Sequence, residues 1–177
     1  MMKKWSVKRI ALSALLIAVM LILGYIESLI PLGPIPGIKL GLSNSVLLLG
    51  LCWLGIPATF VLMFAKVLLS GLLFSGVSAM LYSLAGGLLS MLGMSLLFGS
   101  DSFSKVTIGM AGGLLHNVGQ VGLAMLIMET NKLVYYMAIL MFVGLATGFV
   151  TGQIASILDK RLPESIRDAY QGKSQTK

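Results

Sequence analysis

The sequence predicts an all-α, polytopic membrane protein of about six transmembrane helices, and three observations predict it. First, 57% of the 177 residues are hydrophobic and 11% are charged, with a mean hydropathy of +0.97, which is more apolar material than one soluble core of this length buries. Second, short turn signals cut the chain into segments of bilayer-spanning length. Third, ten of the 13 basic residues gather at the ends and in one connection, as the positive-inside rule requires of a chain that crosses an even number of times. The net charge of +7 would otherwise suggest nucleic acid, but a basic patch must be displayed on a soluble surface, and this chain offers none.

The first segment, about 8–29, follows Lys3, Lys4, Lys8 and Arg9 like a signal peptide. Its apolar part is longer than an h-region and no small-x-small cleavage site follows, so it reads as a retained helix. Pro31, Gly33, Pro34, Pro36 and Gly37 then make an irregular loop. The second segment, about 40–54, is short for a perpendicular span, so it is expected to tilt or to be displaced by that loop. Gly55, Ile56 and Pro57 form a turn, with Pro57 suited to the first turn of a third helix, about 57–74. A fourth covers about 78–98, and the polar stretch 99–105 separates it from a fifth at about 106–128. Glu129 to Lys132 precede a sixth at about 133–158.

Residues 1–162 thus read as one transmembrane domain, and 163–177, which lose the apolar pattern, as a cytoplasmic tail. With six crossings, Lys3, Lys4, Lys8, Arg9, Lys105, Lys160, Arg161, Arg167, Lys173 and Lys177 share one side, against Lys39 and Lys132 on the other and Lys66 within the membrane. Both termini are therefore expected in the cytoplasm. Cys52 is the only cysteine, which excludes an internal disulfide and any cysteine-built metal site.

Polar groups inside the spans carry the functional signal, because at membrane depth they are costly. His116, Asn117 and Gln120 interrupt the apolar, glycine-rich stretch 109–128 at spacings of three and four, and are expected to converge on one ligand. Donors and acceptors are both present in this trio; the alternative is an interhelical hydrogen-bond cluster that only packs. Lys66 lies nine residues beyond Pro57, too deep to snorkel, and needs an acid, carbonyls or an anionic ligand; Glu27 is a candidate acid partner. Lys39, Ser43 and Asn44 sit where the proline-rich loop enters the second span and are expected to offer a cation and amide groups to an outward-opening pocket; the alternative is a plain loop with an anchoring lysine. Gly144, Gly148 and Gly152, with Gly109 and Gly113, repeat every four residues and predict close helix packing, and Ala11, Ala14 and Ala18 make a weaker small-residue stripe on the first helix.

Absences narrow the classes. Asp101, Asp159 and Asp168 are all the aspartates and no two are neighbours, so the clustered aspartates that hold magnesium and diphosphate in a prenyl-transferring synthase are missing. There is no G-x-x-x-x-G-K-[ST] phosphate loop, and the sole histidine has no acid in sequence to orient it for nucleophilic catalysis. The reading assigns no catalytic residue, no cofactor and no metal.

The run Ile35-Pro36-Gly37-Ile38-Lys39-Leu40-Gly41-Leu42-Ser43-Asn44, the string Tyr82-Ser83-Leu84-Ala85-Gly86-Gly87 and the string His116-Asn117-Val118-Gly119-Gln120 resemble the bacterial family called Gx transporter, also named heptaprenyl diphosphate synthase component I. The resemblance covers nearly the whole chain, and its two names imply different functions. As a transporter, it implies a bundle like the substrate-binding S components of energy-coupling factor transporters. Those have six helices, both ends inside, an outward-facing pocket beneath the loop after the first helix, and a T component and two ATPase subunits as partners. The pocket would then be lined by Lys39, Asn44, Lys66, Tyr82, His116, Asn117 and Gln120, and Ala11, Ala14 and Ala18 would dock on the T component. Cationic residues among leucine and methionine suit an amphipathic anion, such as an isoprenoid diphosphate or a quinone precursor. The synthase name implies instead a noncatalytic membrane accessory subunit partnered with a prenyl diphosphate synthase subunit in menaquinone side-chain synthesis. A self-sufficient carrier is the third class, and the halves show no inverted repeat. In each case the protein is expected in the bacterial cytoplasmic membrane, in contact with lipid.

Overall fold

A computed structural model describes residues 7–30, 41–100 and 102–161. Among these, every regular element is helical: α1 (Val7–Ser28), α2 (Leu42–Leu54), α3 (Ile56–Ser70) continued by a π-helical turn (Gly71–Ser75), α4 (Gly76–Gly99), α5 (Lys105–Ile127) and α6 (Val134–Arg161). The proline-rich loop and the tail expected at 163–177 lie outside the described residues.

Among the described residues four stretches are long and apolar enough to cross a membrane, Val7–Ser28, Ile56–Gly99, Lys105–Ile127 and Val134–Arg161. The longest of them is a hairpin. At Gly76 the backbone takes φ 80° and ψ 170°, a conformation open to glycine and strained for side-chain-bearing residues. The turn brings Met80 over Gly71 and Met63 beside Gly87, so α3 and α4 run antiparallel. Pro57 occupies the first turn of α3, where its missing N–H goes unnoticed. Helix α5 begins at Lys105 because the Ser104 hydroxyl accepts from the Thr107 N–H at 3.1 Å. Helix α6 runs on to Arg161, since Asp159 has a buried use in its last turn.

The short helix is the centre of the bundle. No α2 residue with a described side chain is exposed, whereas α1, α3, α4 and α6 all turn large apolar side chains outward. A helix apolar on every face belongs inside, and α2 contacts α1, α3, α4, α5 and α6. Its Leu47, Leu48 and Leu51 join Met20, Leu62, Met63 and Met91 in the main core. At 13 residues it is about 20 Å long, short of the roughly 30 Å of a bilayer's hydrocarbon.

Polar contacts fix which helix ends share a side. Arg9 Nη2 donates to the Leu54 carbonyl at 2.8 Å, Trp53 Nε1 donates to Asp159 Oδ1 at 3.2 Å, and Lys105 pairs with Asp159. The start of α1, the end of α2, the start of α5 and the end of α6 therefore lie together. At the other side of the bundle the end of α1 meets the start of α2, through Glu27.

Helices α5 and α6 form the tightest pair. A Cβ built at Gly144 would stand 2.5 Å from the Gly113 carbonyl oxygen, and one at Gly109 would stand 2.6 Å from that of Gly148. The four-residue glycine repeat thus lets two backbones touch. Ala11, Ala14 and Ala18 are exposed along α1.

Candidate functional site

Because α2 begins inside the bundle, its first amides must find acceptors there. Glu27, itself buried, supplies them. Its Oε1 accepts from the Leu42 N–H at 2.7 Å and its Oε2 from the Ser43 N–H at 3.3 Å. A carboxylate at a helix N-terminus also meets the favourable end of the helix dipole. This is a different use from the ion pair with Lys66 that the sequence suggests. The chain enters the helix at Gly41 with φ 88°, and a Cβ there would also press 2.9 Å from Cδ2 of His116.

One turn along, Asn44 is the hub. Its Oδ1 accepts from Lys66 Nζ at 2.7 Å, and its amide nitrogen stands 2.5 Å from Nδ1 and 2.8 Å from Nε2 of His116. The Gln120 amide nitrogen lies against His116 Nε2 from the next turn of α5. Asn44, Lys66, His116 and Gln120 are all at least nine-tenths buried. The His116 ring is seated on α4 at Gly86, where a Cβ would come within 2.5 Å of the His116 carbonyl oxygen and 2.8 Å of Nδ1.

This set is rich in donors: an ammonium, two carboxamide NH2 groups and an imidazole. In a low-dielectric interior an ammonium requires oxygen partners, and the Asn44 carboxamide oxygen supplies one here; donors of these kinds are also those that bind an oxygen-bearing anion. The set is not suited to a metal, and among the described residues no three His, Cys, Asp or Glu side chains gather.

Of the seven residues expected to line a pocket, the structure brings these four together. Asn117 turns away, because one residue along a helix is about 100° around it. Its Nδ2 donates to the Leu140 carbonyl of α6 at 2.6 Å, in the glycine seam. Tyr82 packs in a separate apolar cluster with Val121, Ala124, Leu133 and Leu140. Lys39 lies outside the described residues. Gly41 and Gly86, which make room for the imidazole, carry no chemistry of their own and are visible only once the helices are packed.

Spaces open on two faces of α2, and the smaller of the two reaches Asn44. An apolar groove of about 200 Å³ lies between α1 and α6 with α2 as its floor, lined by Val19, Leu23, Val46 and Ile154 among others. A much smaller, partly polar one lies between α2, α4 and α5.

A family model described as heptaprenyl diphosphate synthase component I matches residues 16–158. No curated protein matches the chain. No solved structure matches it either.

Proposed function

The chain belongs to the heptaprenyl diphosphate synthase component I family, and from that premise we propose that it is the substrate-binding membrane subunit of an energy-coupling-factor-type uptake transporter for an amphipathic anion of isoprenoid or quinone-precursor type. The observation that carries this reading is the buried Lys66–Asn44–His116–Gln120 cluster, gathered at the inner end of a helix that starts within the bundle. An anionic headgroup among these donors would gain charge-assisted hydrogen bonds, and the apolar helices around them accept its hydrocarbon part. In this reading Ile56–Gly99, which turns back at Gly76, makes two crossings and α2 a short one, for six in all. Both termini then share the cytoplasmic side. Ala11, Ala14 and Ala18, exposed on α1, are the surface for a T component, whose two ATPase subunits would provide the nucleotide-binding loop that this sequence lacks.

The family description favours a second reading, in which the chain is a noncatalytic accessory subunit beside a synthase component II. Affinity purification of the tagged protein from native membranes, followed by mass spectrometry, separates the two. A T component with ATPases supports transport, and a prenyl diphosphate synthase subunit supports the accessory role. Binding of a radiolabelled prenyl diphosphate tests the ligand class. Loss of one charge-assisted hydrogen bond is worth about 1.5–3 kcal/mol, so Lys66→Ala or His116→Ala should weaken binding about 10- to 100-fold. Unchanged binding in both variants refutes the anion site.

A further inference from the structure

Beneath the cluster, Gly41, Asn44 and Leu48 of the α2 region, Ser90 and Met94 of α4, and Gly109, Gly112 and Gly113 of α5 surround a small space. Ser90 is fully buried, and its Oγ has no hydrogen-bond partner. An orphaned hydroxyl in a membrane interior is costly, and serines there ordinarily bond back to a carbonyl one turn earlier. Here the hydroxyl faces the space instead.

We infer that this space is a binding site for one water molecule, bridging the Ser90 hydroxyl to the Asn44 carboxamide. Size decides first. The space leaves about 10 Å³ open to the centre of a water-sized sphere, which is about what one water requires. Polarity decides next. Ser90 Oγ and the Asn44 amide are two partners, and the glycines at 109, 112 and 113 bare the α5 backbone as a third wall, whereas a dry void would be lined by apolar groups alone. Charge decides last. No carboxylate lines the space, and the Lys66 ammonium sits 2.7 Å from Asn44 Oδ1, so a cation is repelled and a neutral donor-acceptor is retained. Glycine at 112 keeps the space open, since a Cβ there would stand 2.5 Å from Met94 Sδ and 3.4 Å from Ser90 Oγ. The water ties α4 to the hub residue of the cluster, which makes Ser90 a positioning residue for Asn44. This holds whatever ligand the cluster takes.

The test is a map of the full chain in lipid nanodiscs, at a resolution that shows ordered water, for wild type and Ser90→Ala. The expected result is a peak within hydrogen-bond distance of both Ser90 Oγ and Asn44 that vanishes in Ser90→Ala while the helices stay in place. Gly112→Ala, which narrows the space from the α5 side, should also lose the peak. A wild-type map with no peak and with the Ser90 hydroxyl donating to the Gly86 carbonyl overturns the inference. So does a peak that persists unchanged in Ser90→Ala. Should Ser90→Ala fail to fold, the wild-type map and Gly112→Ala decide alone.

Discussion

Replacing Gly144 by alanine should loosen the α5–α6 seam, and its size follows from what the new methyl meets. The Cβ would lie 2.5 Å from the Gly113 carbonyl oxygen, 2.8 Å from its carbon and 2.8 Å from Asn117 Nδ2. Two of these atoms are backbone and cannot rotate aside, so the helices must separate by nearly 1 Å to restore ordinary contact. Overpacking of this kind costs about 3 kcal/mol at its upper end, and the better helix propensity of alanine returns about 1 kcal/mol, for a net loss of about 2 kcal/mol. At about 2–4 °C per kcal/mol for a chain of this size, Tm should fall by about 4–8 °C. Gly122→Ala, on the partner helix α5, is the control, because its Cβ meets nothing within 4 Å, and its Tm should hold or rise slightly. Cys52, buried and the only cysteine, provides the assay: a fluorogenic thiol dye reacts as unfolding exposes it. Gly113→Ala opposes Gly144 across the same contact, so the double variant should lose less than the sum of the single losses. Equal losses in Gly144→Ala and Gly122→Ala would refute the steric argument, as would a Gly144→Ala melt indistinguishable from wild type.

Two further outcomes follow from the polar contacts at the ends of α2. Glu27→Ala leaves the Leu42 and Ser43 amides without their acceptor and should destabilise by about 1–2 kcal/mol; hydrogen exchange should accelerate at those two amides, with Glu27→Gln intermediate because it retains one acceptor oxygen. At the opposite end, Asp159→Ala removes the acceptor shared by Trp53 and Lys105. In a Trp5→Phe background, where Trp53 is the only tryptophan, its fluorescence should shift and become more accessible to quencher, and an unaltered spectrum would mean that the bond is not made in the membrane.

How far the site could be read from sequence depends on which physics each residue obeys. Lys66 and His116 stood out because a charge or an imidazole inside an apolar run is expensive wherever it points. The centrality of α2 was hidden, since an apolar residue facing lipid and one facing a neighbouring helix have the same hydropathy. Asn117 misled for a related reason. Spacings of three and four put it near Gln120, but the glycine seam turns α5 so that Asn117 meets α6 while His116 and Gln120 meet α2 and α4. Glu27 was visible as an acid near a lysine, yet its use as a cap depends on where α2 begins, and the preceding loop obscures that. Ser90 gave no signal, because a serine in a membrane helix is usually unremarkable until its hydroxyl is seen to lack a carbonyl.

The bundle is held together in two physically different ways, and the difference locates the side at which a ligand could be admitted. Between α5 and α6 the cohesion is backbone against backbone, short-ranged and lost within about 1 Å of separation. Around α2 it is polar at both ends, through Glu27 and Asn44 at one and through Arg9 and the Trp53–Asp159 bond at the other. A hydrogen bond can be exchanged for one to water or to an incoming anion at modest net cost, whereas a packed glycine seam offers nothing to exchange. If binding at Lys66 requires a helix to move, the first turn of α2 is therefore the part that moves. Its amides can pass from the Glu27 carboxylate to a ligand oxygen, and Gly41 already has the backbone freedom to serve as the pivot. On this argument the Glu27→Gln variant, whose weaker cap competes less with the ligand, should bind a prenyl diphosphate at least as tightly as wild type.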